Sequence, residues 1–520
     1  MSNKNLFKTV KGLFTPKANA VNEAGGAAYA LTAKHALAQY AATGALNTTF
    51  YADANDQLEK VLGFCADVES VFIAKTAVFA REKGFMKDMP ALLCAVLSTK
   101  DKTLLEAIFP RVIDNGKMLR NFVQIMRSGA TGRKSLGSMP KRLVREYFEK
   151  RQAETIFKQS VGQSPSFGDV LKIVHPKPKS AEHAALYGYF INREIAFDDL
   201  PAVVQAFERF KTGEVLEVPD VPFQMLTALP LSTKEWIEIA RKASWTTTRM
   251  NLNTFYRHGV FQDAETVKVI AERLRSPKAI KKARVFPYQL LAAYRMTAIN
   301  PEIPREITEA LQDAMEIAVE NVPEISGKVY VLPDVSGSMQ SPATGYCQGA
   351  TSTVRCLDIA ALVSAAILRK NPTAEIIPFS DSLPKTDLNS RDSIMTNANK
   401  LASLPSGGTN CSLPLIELNK TRKNGDLVIY VSDNESWIDT SRANRGTATM
   451  QAWNEFKSCN QNARLVCIDI QPYAHTQVSE RADILNIGGF SDHVFEVISA
   501  FANGTLDANH WVSVIEAVEL

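Results

Sequence analysis

A change of hydrophobic pattern near residue 325 divides the chain into two architectures. Before it, apolar residues recur at spacings of three and four, which is typical of amphipathic helices. After it, short apolar runs such as residues 328–332 alternate with helical segments such as residues 356–370. Strands that alternate with helices predict a doubly wound, mostly parallel sheet, and the ligand site of such a sheet lies at the carboxyl ends of its strands.

The first part of the chain carries clear helix signals. For a helix predicted over residues 200–213, the preceding Asp199 is a candidate cap, Pro201 suits the first helical turn and Gly213 ends the helix. A basic helix is predicted over residues 140–158. Many short helices joined by Gly, Pro and Ser turns favour an α-solenoid of paired helices, although no strict sequence period is present.

The length of 520 residues exceeds what one hydrophobic core organises. We therefore predict a multidomain α + α/β chain. Its parts are an N-terminal arm over residues 1–23, a helical region over 24–325 and a doubly wound α/β domain over 326–520.

Composition excludes several classes of protein. No run approaches the ~20 uninterrupted apolar residues of a membrane span, and residues 1–20 lack the continuous apolar stretch of a secretory signal. We expect no membrane association and a cytoplasmic location. The seven cysteines are odd in number, form no CxxC pair and mostly lie within apolar runs, so we expect reduced core thiols.

Oxygen-bearing side chains follow the predicted strands of the C-terminal part. Asp334, Ser336 and Ser338 alternate along one tight loop, Thr409 lies in a glycine-rich loop, and Asp433 follows a second buried strand. Hard oxygen ligands of low total charge suit Mg²⁺, which keeps some of its waters. These five residues are the predicted metal ligands, with Mg²⁺ or another divalent cation as the cofactor.

This ligand set resembles the metal-ion-dependent adhesion site of von Willebrand factor A domains, whose pattern is Asp-x-Ser-x-Ser with a distant Thr and a distant Asp. A DxSxS sequence by itself is also typical of a tight turn, but here all five positions of the adhesion-site pattern match. Pro333 departs from the family pattern without removing a ligand. The resemblance implies a site that binds a partner's carboxylate. No general base or nucleophile stands beside it, and the lone His475 and His493 are more typical of core or surface histidines, so we predict no enzyme.

Charge is distributed unevenly along the chain. The net charge is +4, but residues 1–300 carry 43 Lys+Arg against 28 Asp+Glu, whereas residues 301–520 carry 16 against 27. A basic helical part indicates a polyanionic partner such as nucleic acid, the alternative being drift in isoelectric point without function.

Basic residues concentrate in two places within the helical part. Each run alone is more often a solvated helix face than a binding site, and phosphate attraction does not distinguish DNA from RNA. A loop at residues 127–135 combines glycines with basic and hydroxyl groups, which suits close approach to phosphates. The candidate binding residues from charge are Arg120, Arg127, Arg133, Lys134, Lys141, Arg142 and Arg145, and then Lys281, Lys282 and Arg284.

Five motifs in order resemble the Ro ring-protein family, also called the TROVE family. They are Gly132-Arg133 before the basic helix at Pro140, DVLKIVHPKP at 169–178, RMNL at 249–252, KKARVFPY at 281–288 and DVSGSM at 334–339. The resemblance spans nearly the whole chain. It implies a monomeric, closed ring of HEAT-like helical repeats with a positively charged hole, clasped by the A domain.

The same resemblance implies RNA partners. Relatives bind single-stranded 3′ ends of misfolded noncoding RNA in the hole and Y RNAs on an outer basic surface, and bacterial relatives tether polynucleotide phosphorylase through a Y-type RNA. His175 and Lys158 match residues of the Y RNA surface, whereas Gly162 stands where a family member has a basic residue. Lys172 and Arg249, which lie in the matching motifs, complete the candidate RNA-binding set.

Two other functions are also compatible with the sequence. The helical array and the A domain could both bind polypeptides, which would make the chain a protein-interaction scaffold with incidental basic charge. Related A domains also assist ATP-driven metal chelatases. The chain lacks a GxxxxGK[ST] phosphate loop, so it is not itself such a motor.

Overall fold

The computed structural model describes most of the chain. The described residues are 15–43, 46, 52–283, 287–298, 300–320, 322, 324–343, 354–437, 446–471, 473–489, 492–504 and 510–520. They divide into two compact units. Arg284 of the predicted RNA-binding set lies outside the described residues.

The helical unit comprises Cys65–Val285, Ala293–Ala314 and Glu516–Leu520. The second unit, here called the A unit, holds the residues up to Phe64 together with Phe286–Ala292 and Met315–Ile515. The predicted boundaries at 23 and 325 follow the change of sequence pattern, whereas the units follow packing. The N-terminal residues thus belong with the C-terminal domain, and the last five belong with the helices.

Short helices make up the helical part of the chain. In chain order the helices are α1 (Ala33–Thr43), α2 (Ala54–Asp67), α3 (Ser70–Glu82), α4 (Asp88–Lys100), α5 (Lys102–Val112), α6 (Gly116–Ser128), α7 (Ser138–Glu149), α8 (Ala153–Gln159), α9 (Phe167–Val174), α10 (Ala181–Phe190), α11 (Ala202–Lys211), α12 (Phe223–Leu226), α13 (Thr233–Lys242), α14 (Trp245–Met250), α15 (Leu252–Arg257), α16 (Ala264–Leu274), α17 (Pro277–Ala283), α18 (Pro287–Ala298) and α19 (Arg305–Ala318).

Side-chain caps define several of these helices. Asp101 caps α5 by accepting from the backbone N–H of Thr103 and Leu104, and Asn115 caps α6 by accepting from Met118. Helix α6 ends at Gly129 in the left-handed region. Local sequence therefore fixes where these elements begin and end.

Two details of the predicted helices were wrong. Asp199 does not cap α11. It lies in a preceding 3₁₀ turn. Pro201 takes the N-cap position and makes no side-chain capping bond, and its carbonyl accepts from the backbone N–H of Val204 at 2.8 Å. The basic helix over residues 140–158 is two helices, α7 and α8, because Gln152 adopts an extended conformation between them.

The C-terminal domain is built on a five-stranded sheet. Its strands are β3 (Val329–Pro333), β4 (Glu375–Ile376), β5 (Leu427–Ser432), β6 (Arg464–Asp469) and β8 (Ile484–Gly488), in the order β4-β3-β5-β6-β8. All neighbours are parallel. The helices are α20 (Cys356–Lys370), α21 (Ile394–Ala402), α22 (Leu413–Lys420), α23 (Ala448–Cys459), α24 (Asp492–Ala502) and α25 (His510–Glu516). The predicted parallel α/β architecture is confirmed.

A buried aromatic cluster stabilises this sheet. Tyr330 and Tyr430 from adjacent strands pack with Trp453 and Phe456 of α23, and each is at most 2% exposed. Each such aromatic side chain buries a large apolar area. The cluster packs against β3 and β5, and four of the five predicted metal ligands follow these two strands.

The N-terminal segment pairs with the C-terminal domain. Strands β1 (Ala20–Val21) and β2 (Ala27–Ala30) are antiparallel, and β2 pairs with β7 (His475–Thr476). The alanine-rich α1 packs against β8. Small side chains allow this close approach, so the segment is part of the A unit.

Within the described part of the chain, no helix combines the length and the apolar composition that crossing a bilayer would require.

Candidate functional site

The carboxyl ends of β3 and β5 bring two aspartates to one edge of the sheet. Asp334 follows β3 and donates its backbone N–H to Val431 of β5 at 3.0 Å. Ser432, at the end of β5, donates its hydroxyl to Asp334 Oδ2 at 2.6 Å. Asp433 comes next in the chain. The parallel register Pro333↔Val431 therefore sets both carboxylates side by side.

The loop after β3 turns its oxygen atoms inward. Ser336 N donates to Asp334 Oδ1 at 2.8 Å, and the hydroxyls of Ser336 and Ser338 lie 3.3 Å apart. Ser338 also hydrogen-bonds Asp433. Pro333 ends β3 and its carbonyl accepts from Phe379 at 3.0 Å, so the proline leaves the ligand loop intact.

The glycine-rich loop carries Thr409 to the same edge. Gly337 N donates to Gly407 O at 2.9 Å, which joins this loop to the loop after β3. Trp437 N donates to Thr409 O at 3.2 Å, which joins it to the loop after β5. The five predicted ligands are each at most 5% exposed. Three loops therefore converge on the predicted metal position.

Burial makes the two carboxylates costly without a cation. Desolvation, followed by the charge of Asp433, raises the pKa of Asp334 from 3.8 to about 7. Burial likewise raises the pKa of Asp433. No group of three His, Cys, Asp or Glu with metal-binding geometry occurs among the described residues, so a cation here depends on the serine and threonine hydroxyls. Two carboxylates with three hydroxyls form an all-oxygen donor set that fits Mg²⁺.

A third buried carboxylate, Asp469, was missed by the sequence analysis. It ends β6, accepts from the side-chain amide of Asn434, and accepts from Gln39 Nε2 at 3.2 Å. Burial and the charge of Asp433 raise its pKa well above the ordinary value. Its place at a strand end is the signal that could have identified it, because β5 and β6 are neighbours in the sheet.

The N-terminal segment closes on the loop after β5. Asn22 Nδ2 donates to Ser436 O at 2.9 Å, and Ala24 N donates to Glu435 Oε2 at 3.3 Å.

His475 stacks on Tyr473, and burial lowers the pKa of His475 to about 4, so its imidazole is neutral at physiological pH. The side chain of His493 lies outside the described residues.

A basic cleft of about 740 Å³ lies in the helical unit. It is formed by α6, the turn that follows it and α9, and it brings together Arg127, Lys134 and Lys172. The three cations form no ion pair with a carboxylate of the described residues. Gly129 ends α6 in the left-handed region at φ +92°, and the Lys134 side chain lies beside it, since a Cβ there would be 3.4 Å from Lys134 Cε.

These geometries can be compared with known proteins. Residues 328–502 match the family described as the Ro60 vWA domain. The chain carries a Ro60-type von Willebrand A domain. Over 96% of its length the chain is 24% identical to RNA-binding protein RO60 of Deinococcus radiodurans, of which 99% is covered. The fold resembles the crystal structure of the Ro (RSR) protein of the same organism, with a TM-score of 0.62, 21% identity and coverage of 91% and 100% of the two chains. The resemblance to the Ro ring-protein family and the predicted fold class are confirmed.

Other predicted cations of the helical unit form contacts within the protein. Arg142 of α7 pairs with Glu106 and Glu146, each at 2.7 Å. Lys158 of α8 pairs with Glu154 and Asp220, each at 2.7 Å. Two arginines bind backbone carbonyls: Arg145 donates to Val174 O, and Arg133 donates to Ser98 O at 3.5 Å. His175 lies at the C-terminal end of α9 with φ +51°.

Arg120 explains why glycine stands at position 162. A Cβ on Gly162 would be 1.9 Å from Arg120 Nη1, and Gly162 has φ +112°. The Arg120 guanidinium thus occupies the space into which a side chain at 162 would project. Burial lowers the pKa of Arg120. The guanidinium of Arg120, from α6, therefore lies directly beside position 162.

The remaining candidates lie apart from the cleft lining. Lys141 is half-buried on α7, and Arg249 is half-buried on α14. Lys281 and Lys282 are exposed on α17. The structure thus gathers one group of unpaired cations at the cleft, whereas these four residues lie elsewhere on the helices.

Proposed function

We propose that this chain is an RNA-binding protein that carries a Mg²⁺-dependent docking site in its Ro60-type domain. The observation that carries the proposal is the set of unpaired cations Arg127, Lys134 and Lys172 around one cleft. Unpaired cations at the surface are the groups that neutralise phosphates. A relative that spans the whole chain is named an RNA-binding protein, which supports the same partner.

The proposed RNAs are small Y-type RNAs on the outer basic surface and the single-stranded 3′ ends of misfolded RNA in the hole of a monomeric ring. In this role the protein acts without catalysis of its own, in RNA quality control or decay in the cytoplasm. A 3′ exoribonuclease such as polynucleotide phosphorylase is the proposed protein partner. Recognition of unpaired RNA by shape and stacking needs little sequence selectivity.

The proposed metal ligands are Asp334, Ser336, Ser338, Thr409 and Asp433. These residues would hold a divalent cation, which would supply a positive charge able to attract an oxygen ligand from a partner. The chain's own residues orient that charge: Ser432 holds Asp334, and the contact between Gly337 and Gly407 fixes the threonine loop. The site is thus suited to capture a carboxylate of a partner.

Equilibrium binding at several salt concentrations tests the RNA proposal. The probe is a labelled RNA hairpin with a single-stranded 3′ tail. The double variant Arg127→Glu/Lys172→Glu should lose roughly tenfold or more in affinity near 0.1 M salt, and the slope of log K against log[salt] should fall by about 1.4, at about 0.7 for each lost phosphate contact.

A matched control changes the same charge elsewhere. Lys242→Glu/Lys268→Glu removes two lysines that are already ion-paired, with Glu238 and Glu265. We expect this control to change affinity much less than the cleft variant. Equal losses in both variants, or no binding by the wild-type protein, would contradict the proposal.

A protein-interaction scaffold is the second candidate function, and one observation favours it. Trp437 is 43% exposed although its backbone is bound to Thr409 at the metal loops. Exposed tryptophans are enriched in the energetic centres of protein interfaces. Protein purified from cells that carries RNA absorbance until washed with high salt supports the first function. Clean protein that retains a polypeptide only with Mg²⁺ supports the scaffold.

A further inference from the structure

The basic cleft contains one group that a pure phosphate site would exclude. Asp169 lines it together with Arg127 and Lys172. A carboxylate repels a phosphate, and the three cations do not neutralise this one through an ion pair. Its presence therefore needs an explanation beyond attraction of the RNA backbone.

Helix capping accounts for one of the two oxygens of the Asp169 carboxylate. Asp169 and Ser166 form a capping box at the start of α9, in which Asp169 Oδ2 accepts from Ser166 N at 2.9 Å and from Ser166 Oγ at 2.7 Å. Both bonds use the same oxygen. Oδ1 accepts no hydrogen bond from the described residues.

The hydrogen bonds from Ser166, followed by the charges of Lys172 and Arg127, hold the pKa of Asp169 below its ordinary value. The carboxylate is therefore ionised at neutral pH and is only an acceptor. Within the basic cleft, the free oxygen of this carboxylate is suited to a neutral hydrogen-bond donor that lies next to a bound phosphate. In RNA the ribose 2′-hydroxyl lies beside the 3′-phosphate on the same sugar, whereas DNA has no donor at this position.

We infer that the cleft is a ribonucleotide subsite in which Arg127, Lys134 and Lys172 bind the phosphodiester and Asp169 Oδ1 accepts a hydrogen bond from the ribose 2′-hydroxyl. This inference rests on the proposed RNA function and adds the group that distinguishes RNA from DNA. The cleft is open to solvent along one side, so a segment of nucleic-acid chain can lie across it.

The test compares short single strands that differ only at the sugar. The probes are oligouridylate, its 2′-fluoro form, which keeps an RNA-like sugar without the donor, and oligodeoxyuridylate. The wild-type protein should prefer the ribose form over the 2′-fluoro form by about tenfold, since a hydrogen bond to a charged group is among the stronger ones. In Asp169→Asn this preference should fall to about twofold or less, while affinity for all three probes stays equal or rises.

Ser166→Ala separates recognition from helix capping. It removes the cap of α9 but keeps the carboxylate, so the melting temperature should fall while the sugar preference remains. Loss of preference in Ser166→Ala with retention in Asp169→Asn would overturn the assignment.

Three further results distinguish the ribose assignment from the RNA proposal. Wild-type protein that binds all three probes equally overturns the ribose assignment and leaves the RNA proposal standing. Wild-type protein that binds neither these strands nor the tailed hairpin overturns both. If the effect of Asp169→Asn appears only with guanine-containing strands, the carboxylate reads a base edge and the ribose assignment is wrong.

Discussion

The hydroxyl of Ser432 donates to Asp334 Oδ2 across 2.6 Å, from the end of one strand to the end of its neighbour. This bond holds the first aspartate of the proposed metal site in a fixed orientation without a charged partner. Because burial and Asp433 raise the pKa of Asp334 to about 7, protons and a divalent cation would compete for the same carboxylate.

Stabilisation by Mg²⁺ should increase with pH. The folded pKa of Asp334, about 7, lies above its ordinary value of 3.8, so the metal-free fold binds a proton more tightly than the unfolded chain. The contribution of this group to stability is present below 3.8 and is lost as pH rises through about 7. Thermal melts should show a larger gain from Mg²⁺ at pH 8 than at pH 5.5. A gain independent of pH would contradict proton competition.

Asp334→Asn should separate stability from metal binding. The amide keeps the side-chain volume and removes the repulsion with Asp433, so the metal-free protein should melt at the same or a higher temperature. The several-degree gain expected on adding excess Mg²⁺ should disappear. The control Asp387→Asn alters an exposed carboxylate and should retain the gain. An undiminished gain in Asp334→Asn would show that the cation binds elsewhere.

Trp437 should report metal binding by fluorescence. Its indole lies so close to Gly408 that a Cβ there would be 2.5 Å from Nε1, and its backbone contacts Thr409. Ordering of the threonine loop around a cation should change its emission. Titration with Mg²⁺ should give a saturable change that Trp437→Phe abolishes. The same titration in Asp334→Asn should be flat, and a change that persists there would separate the tryptophan from the site.

Gly162→Ala should destabilise the helical unit by about 2 kcal/mol. The substitution places a Cβ on a backbone at φ +112° and against Arg120. Gly132→Ala is the matched control, because Gly132 also has positive φ, +78°, but no atom lies within 4 Å of the added carbon. It should cost about 1 kcal/mol. Urea unfolding measures both, and equal losses would mean that contact with Arg120 contributes nothing.

Much of the candidate metal site's layout could be predicted from the sequence. Buried strands end at Asp334 and Asp433, and the carboxyl ends of parallel strands share one edge, so pattern and topology together predicted that the two carboxylates lie near each other. Ser432 and Asp469 escaped prediction because their roles depend on which strands are neighbours. The pairing of β2 with β7 likewise joins residues near the two ends of the chain, such as Ala30 and His475.

The sequence alone determined the two architectures and the chemistry available at the strand ends, because hydrophobic period and residue type are local properties. Only the tertiary structure decided which cations remain unpaired. Arg142 and Lys172 look alike in the sequence, yet Arg142 meets Glu106 of α5, while Lys172 lines the open cleft. The pair with Glu146 lies within α7 and follows from the i,i+4 spacing, but the pair with Glu106 joins two helices, so its distance exists only after those helices have packed.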